Sequence, residues 1–124
     1  MTFARFTAKK HTLAEIKPMV WSLLSFIEEK VSPSKVFLIG SASRGEYTVY
    51  SDLDFVIVLQ EGEAFKASSA LYIDRPFPEV PVDFLKMTAN QFERNSKIGG
   101  IAYIAAEDGI LLLDKGTKID PSTW

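Results

Sequence analysis

The stretch Val36–Leu59, VFLIGSASRGEYTVYSDLDFVIVL, decides the architecture. It holds two apolar runs, Val36-Phe37-Leu38-Ile39 and Phe55-Val56-Ile57-Val58-Leu59, around a short polar segment. Runs of that length without alternation predict strands buried on both faces. Gly40-Ser41 closes the first strand, and the second is predicted over Asp52–Leu59, polar only at its start.

Working outward, Leu13, Ile16, Val20, Leu23, Leu24 and Ile27 recur at steps of three and four and form one helical stripe before the first strand. Pro18 removes a backbone donor and crowds the preceding turn, so a kink or a helix starting near Lys17 is expected. Ser32-Pro33-Ser34 ends that helix. Downstream, Glu61-Gly62 reads as a turn, Ala64 to Tyr72 as helical, Arg75-Pro76-Phe77-Pro78 as a loop and Val80 to Met87 as a third strand. Thr88 and Gln91 have capping-box spacing and start another helix. Gly99-Gly100 interrupts it, Ile101 to Glu107 forms one more helical stretch, and Gly109 stops it. Ile110–Leu113 is a short last strand before a turn at Lys115-Gly116. This order predicts an α/β (α+β) layer, a mixed sheet of about four strands packed against helices. The whole of 1–124 reads as a single domain, with 1–11 as a tail or an edge strand.

Composition bounds the chemistry. The 124 residues are 47% hydrophobic and 12% aromatic, enough to bury one core. No cysteine is present, which excludes disulfides, zinc-thiolate sites and cysteine nucleophiles. A lone histidine, His11, argues against a histidine metal site or a Ser-His-Asp triad, and a solvated or capping role is expected of it. A net charge of −2 gives no reason to hold a long nucleic acid. No secretory signal and no apolar run of membrane-spanning length is visible, so a cytoplasmic protein is expected.

The polar segment carries the chemistry. A strand ending in Gly40-Ser41 that turns into a helical turn presents free N–H groups and a hydroxyl to phosphate oxygens. Gly40 lets the backbone approach without a Cβ, Arg44 lies just beyond and can add a charge-assisted contact, and Gly45 allows a sharp turn. Asp52 and Asp54, two apart in a strand, project to one face. They can bind one hard cation or share two, and magnesium favours such oxygen ligands. Asp83 lies between apolar strand formers and needs a compensating partner if buried. It is also a candidate base for an attacking hydroxyl. Taken singly, each part has a commoner reading: a turn for Gly-Ser, a solvated strand end for Asp-x-Asp, a surface charge for Arg44 and an edge-strand surface residue for Asp83. Their combination on adjacent strands is what points to a site.

Gly40-Ser41, ten residues, then Asp52-Leu53-Asp54 is the spacing by which the chain resembles the polymerase-β-like nucleotidyltransferase superfamily. Phe37-Leu38-Ile39, Arg44-Gly45 and Ser51 also match usual positions. The size and Val82-Asp83 resemble its minimal nucleotidyltransferase branch. The resemblance extends over about residues 13–113, and its specific part is Gly40–Val58. It implies that Asp52, Asp54 and Asp83 ligate two Mg²⁺ ions bridging the triphosphate of ATP, and that Asp83 helps deprotonate the acceptor. It implies a nucleotide-binding set of Gly40, Ser41, Arg44, Gly45 and Ser51. It further implies an antitoxin that moves AMP onto a tyrosine of a HEPN-family toxin, alone or within a homo- or hetero-oligomer. Alternatives are a transferase for a small hydroxyl compound such as an antibiotic, and a module that neutralises its partner by contact alone. Two departures stand out. Thr48 occupies a position that is often basic, and only about seventy residues follow Asp54, so a partner is expected to supply much of the acceptor site. Tyr47 and Tyr50 either pack under the loop or stack on a base. Trp21 is read as core edge, Lys9-Lys10 as a solvated face, and Ile101–Ala106 as packing of which an exposed part could dock a helical partner.

Overall fold

The two apolar runs pair antiparallel: strand β1, Lys35–Ile39, lies against β2, Leu53–Leu59, with Ile39 opposite Asp54. The computed structural model describes residues 8–61 and 68–124. Strand β3, Val82–Thr88, joins β2 in parallel on the outer edge. Strand β4, Ile110–Asp114, pairs antiparallel with the other side of β1, and β5, Thr117–Lys118, completes a mixed sheet in the order β3-β2-β1-β4-β5.

The sheet is covered on both faces, which is why β1 and β2 read as continuous apolar runs. One face packs Val36, Leu38, Leu53, Phe55 and Ile57 against Ile16, Val20, Leu23, Leu24 and Ile27 of helix α1, Leu13–Val31. The other turns Phe37, Ile39, Val56 and Val58 toward Phe92 of helix α2, Ala89–Asn95, and Ala105 of helix α3, Gly100–Asp108. Phe37 and Phe92 stack with ring centres 5.3 Å apart.

Helix α1 starts at Leu13 and passes through Pro18, so a start near Lys17 is not adopted. A reciprocal capping box decides this: the Thr12 hydroxyl accepts from the Glu15 amide, and the Glu15 carboxylate accepts from the Thr12 amide. Tertiary packing of the stripe holds the first turn although Pro18 offers no N–H to the carbonyl of Ala14. The predicted capping box of Thr88 and Gln91 is present and starts α2.

Two element readings, the conformation at one helix stop and the strand count differ from expectation. The third strand runs Val82–Thr88, two residues later than read at its start. Of the predicted helix over Ala64–Tyr72, Ser68–Tyr72 is a 3-10 turn, and its remainder and Gly62 lie outside the described residues. Gly109 ends α3 with an ordinary negative φ of −75°. It is needed sterically instead, since a Cβ there would stand 2.6 Å from the Ala105 carbonyl oxygen. A fifth strand was unforeseen: Lys115 and Gly116, both at positive φ, make a hairpin turn that returns two residues to the sheet. Of the segment 1–11, residues 1–7 lie outside the described residues, and His11 bridges to Tyr47.

Because Pro18 is exposed and interior to α1, Pro18→Ala restores a backbone bond. Urea denaturation should show a gain of about 1–3 kcal/mol. A loss would mean that the ring packs favourably.

Candidate active site

The pairing of β1, β2 and β3 fixes the site. Asp54 is the second residue of β2, opposite Ile39 on one side and Asp83 on the other. Alternation places Asp54 on the same face as Val56 and Val58, and Asp83 on the same face as Leu85 and Met87. Asp52 stands just before β2 with the same parity. Both aspartates of the DLD triplet therefore emerge beyond the edge of the apolar layer under α2 and α3. Carboxylate oxygens of Asp52, Asp54 and Asp83 all lie within 4.8 Å of one another. Asp52 and Asp83 are exposed and Asp54 is half-buried. The expectation that the three meet at one point is met. A buried Asp83 is not observed, since β3 is the sheet edge and leaves that side chain to solvent.

Three negative charges this close repel. Burial pushes the Asp54 carboxyl above its usual range, and the neighbouring charges of Asp83 and then Asp52 push it further. No Lys or Arg among the described residues forms an ion pair with any of the three. A divalent cation is the group that relieves this repulsion, and an all-carboxylate donor set completed by water suits a hard ion such as Mg²⁺. The residues thus fit the cation that the spacing implies.

Gly40 leaves β1 at φ +77°. A Cβ there would stand 2.8 Å from Oδ2 of Asp54. Glycine is required twice, for the left-handed backbone and for the room Asp54 occupies. The chain then makes a 3-10 turn, Ser41–Arg44, closed by Gly45 at φ +71°. The Ser43 amide and hydroxyl both donate to the Gly40 carbonyl, at 3.1 and 2.7 Å. The amides of Ser41 and Ala42 have no backbone partner among the described residues. Ala42 is fully buried and Ser41 half-buried, so the turn offers the Ser41 amide, and not that of Ala42, beside the carboxylates.

Other predicted residues are placed differently. Arg44 is exposed, with its Nε 3.8 Å from a Glu46 carboxylate oxygen, and reaches none of the three aspartates. The Ser51 hydroxyl accepts from the Thr48 amide at 3.1 Å and lies 3.2 Å from the Thr48 hydroxyl, so it braces the loop before Asp52. Thr48, at the often basic position, is that brace's partner and also accepts from the Tyr50 amide. Tyr47 is buried under the loop, whereas Tyr50 is 81% exposed. His11 pairs with Glu15 at 3.3 Å, Lys9 and Lys10 are exposed, and Trp21 packs at the core edge against Trp124. In α3, Ala102 and Ala105 are buried, while Ile101, Tyr103 and Ile104 are partly open. Sequence reasoning missed Pro81, whose carbonyl accepts from the Leu53 amide at 2.9 Å and ties the entry to β3 against the DLD triplet.

Two outcomes test this geometry. Gly40→Ala should displace Asp54, lower stability by at least about 1 kcal/mol, and weaken Mn²⁺ or Mg²⁺ binding in calorimetric titration; unchanged metal affinity would contradict the contact. A raised Asp54 pKa means that the folded state favours the protonated form, so this stabilising term is full below the ordinary value of 3.8 and is lost as pH rises through the folded value. Metal-free Asp54→Asn, which carries no charge to repel, should therefore exceed the wild type in Tm at neutral pH. The gap should close at low pH and on addition of Mg²⁺.

Comparison with known proteins agrees with the geometry. The sequence model of the nucleotidyltransferase domain matches residues 21–112. A crystal structure of a Sulfolobus solfataricus protein assigned as a nucleotidyltransferase superposes with a TM-score of 0.56 at 20% identity, covering 90% of this chain and 96% of that one. At that identity the likeness is one of fold. No curated protein matches the sequence. Matching over most of its length, from α1 through β4, the chain belongs to the nucleotidyltransferase domain family.

Proposed function

We propose that this nucleotidyltransferase moves AMP from ATP onto a hydroxyl of a partner protein, a tyrosine of a HEPN-family toxin, and acts as its antitoxin. The reading is supported by one observation above all: three carboxylates converge within 4.8 Å beside a Gly-Ser turn whose Ser41 amide has no backbone partner among the described residues. The family match makes nucleotidyl transfer the reaction class. The acceptor and the antitoxin role rest on the resemblance of the motif to the minimal branch.

The roles follow from position. Asp52, Asp54 and Asp83 would hold the divalent cation, Mg²⁺, which when bound neutralises phosphate charge and lowers the barrier to in-line attack. Gly40 keeps Asp54 in place, and the amide and hydroxyl of Ser41 receive phosphate oxygens. Asp83, exposed on the edge strand, is open to the acceptor side and accepts the proton of the attacking hydroxyl. The bond formed joins that hydroxyl oxygen to the α-phosphorus, and pyrophosphate leaves. Catalysis then depends on alignment and charge, with no covalent enzyme intermediate.

The test is transfer of label from α-labelled ATP, with Mg²⁺, to a co-expressed small helical partner. Label should appear on the partner and fall on the order of 100-fold or more, about 2.7 kcal/mol of barrier, in Asp52→Ala/Asp54→Ala. Label on a small hydroxyl compound alone would move the acceptor to that class. Absence of label, with unchanged neutralisation of the partner by the double variant, would leave binding by contact.

A further inference from the structure

A cavity of about 300 Å³ opens at the same end of the sheet as the three aspartates, on the α1 side. Its walls are Met19, Tyr47, Val49, Val80 and Pro81. Two of the contributing segments run directly into the site. Tyr47 and Val49 belong to the loop before Asp52, and Val80 and Pro81 precede Asp83 by three and two residues. The Leu53 amide donating to the Pro81 carbonyl stitches these segments together between cavity and carboxylates. Anything seated here therefore lies across the rim from the reacting centre.

The lining is apolar with polar groups at chosen points, as in ligand pockets generally. Tyr47 is 7% exposed, yet its phenol makes no hydrogen bond among the described residues. Among the described residues no side-chain polar atom is both fully enclosed and unpartnered, so the phenol oxygen of this lining residue keeps contact with solvent and a donor to spare. Among the described lining residues, the unpaired charge at the mouth is negative. Glu79 stands on the wall with no ion pair among the described residues, and the one basic group there, His11, is already paired with Glu15 at 3.3 Å. Burial pushes the Tyr47 phenol above the ordinary phenol range, and the Asp52 charge adds to this. A ring fits in half this volume.

We propose that this cavity is an acceptor subsite for a cationic amphiphilic group: an apolar body of about ring size enters between Tyr47 and Val80, and its protonated amine rests at Glu79. The role as acceptor subsite rests on the transfer reading above, while the cavity's preference for cations does not. In an acceptor protein the group is an apolar side chain next to a lysine or arginine, flanking the hydroxyl that reacts.

The test uses tyramine as probe, titrated into the isotope-labelled full-length chain and followed by amide NMR. Its counter-probe, 3-(4-hydroxyphenyl)propionate, has a similar ring and spacer with a carboxylate in place of the ammonium. Tyramine should produce saturable shifts at Tyr47, Glu79 and Val80, and bind at least about fivefold more tightly than the counter-probe. Exposed Glu79→Gln should erase that difference, and Val80→Trp, filling the cavity, should abolish the shifts in both. Should Val80→Trp fail to fold, Glu79→Gln decides alone. Equal binding of both probes, or tyramine shifts unchanged in Glu79→Gln, overturns the proposal. A Mg²⁺-ATP titration of the same sample separates the two readings. Nucleotide shifts at Gly40–Arg44 without tyramine binding sink the subsite and spare the transfer reading; tyramine binding without any response to Mg²⁺-ATP removes the acceptor role.

Discussion

Asp54 and Asp83 stand side by side on neighbouring parallel strands, in direct register, with Asp52 closing over them. Such like charges are unfavourable at close range unless a cation sits among them or a proton is shared. Most of what is unusual in this small fold accommodates that cluster. Gly40 gives up its side chain so that Asp54 Oδ2 has room. Leu53 and Phe55, on either side of Asp54 in the chain, are fully buried against α1 and stop β2 from shifting to ease the repulsion. A one-residue slip would throw both aspartates into the α1 core, so the hydrophobic register and the acidic cluster enforce each other.

The two faces of the sheet differ in how far the packing extends. The α1 face is filled over the full length of β2, from Leu53 to Leu59. The opposite face is packed by Phe92 and Ala105 only as far as Ile39 and Val56, and beyond them the carboxylates begin. Stability thus comes mainly from α1 and the central strands, while the uncovered end of the second face is left for chemistry. Asp54, at the boundary between these zones, is the carboxylate whose acidity burial disturbs.

Local polar chemistry supports the site from the loops. Ser51 and Thr48 knot the backbone just before Asp52, and Ser43 ties the turn back to Gly40. These are short-range bonds between residues three apart, which hold a loop without burying it. Exposed Val49 and Tyr50 stand on this braced segment, next to the cavity that Tyr47 and Val80 enclose.

The sequence by itself determined the elements whose cause is local. Continuous apolar runs marked β1 and β2, the three-four spacing marked α1, and Thr88 with Gln91 marked the start of α2. The Gly40-Ser41…Asp52-x-Asp54 spacing located the site because its parts lie on one hairpin, within reach of short-range reasoning. The start of α1 was equally local, in Thr12 and Glu15, but Pro18 masked it. Tertiary structure alone decided that Asp83 meets the other two, since its pairing partner is distant in the chain and only the parallel register brings them level. It alone turned Ser51 inward to Thr48, left Arg44 at the surface beside Glu46, and joined the segments before Asp52 and Asp83 through Leu53 and Pro81. The physical reason is the same each time: periodicity and capping report which face a residue takes, and only the packing of distant segments sets what it faces.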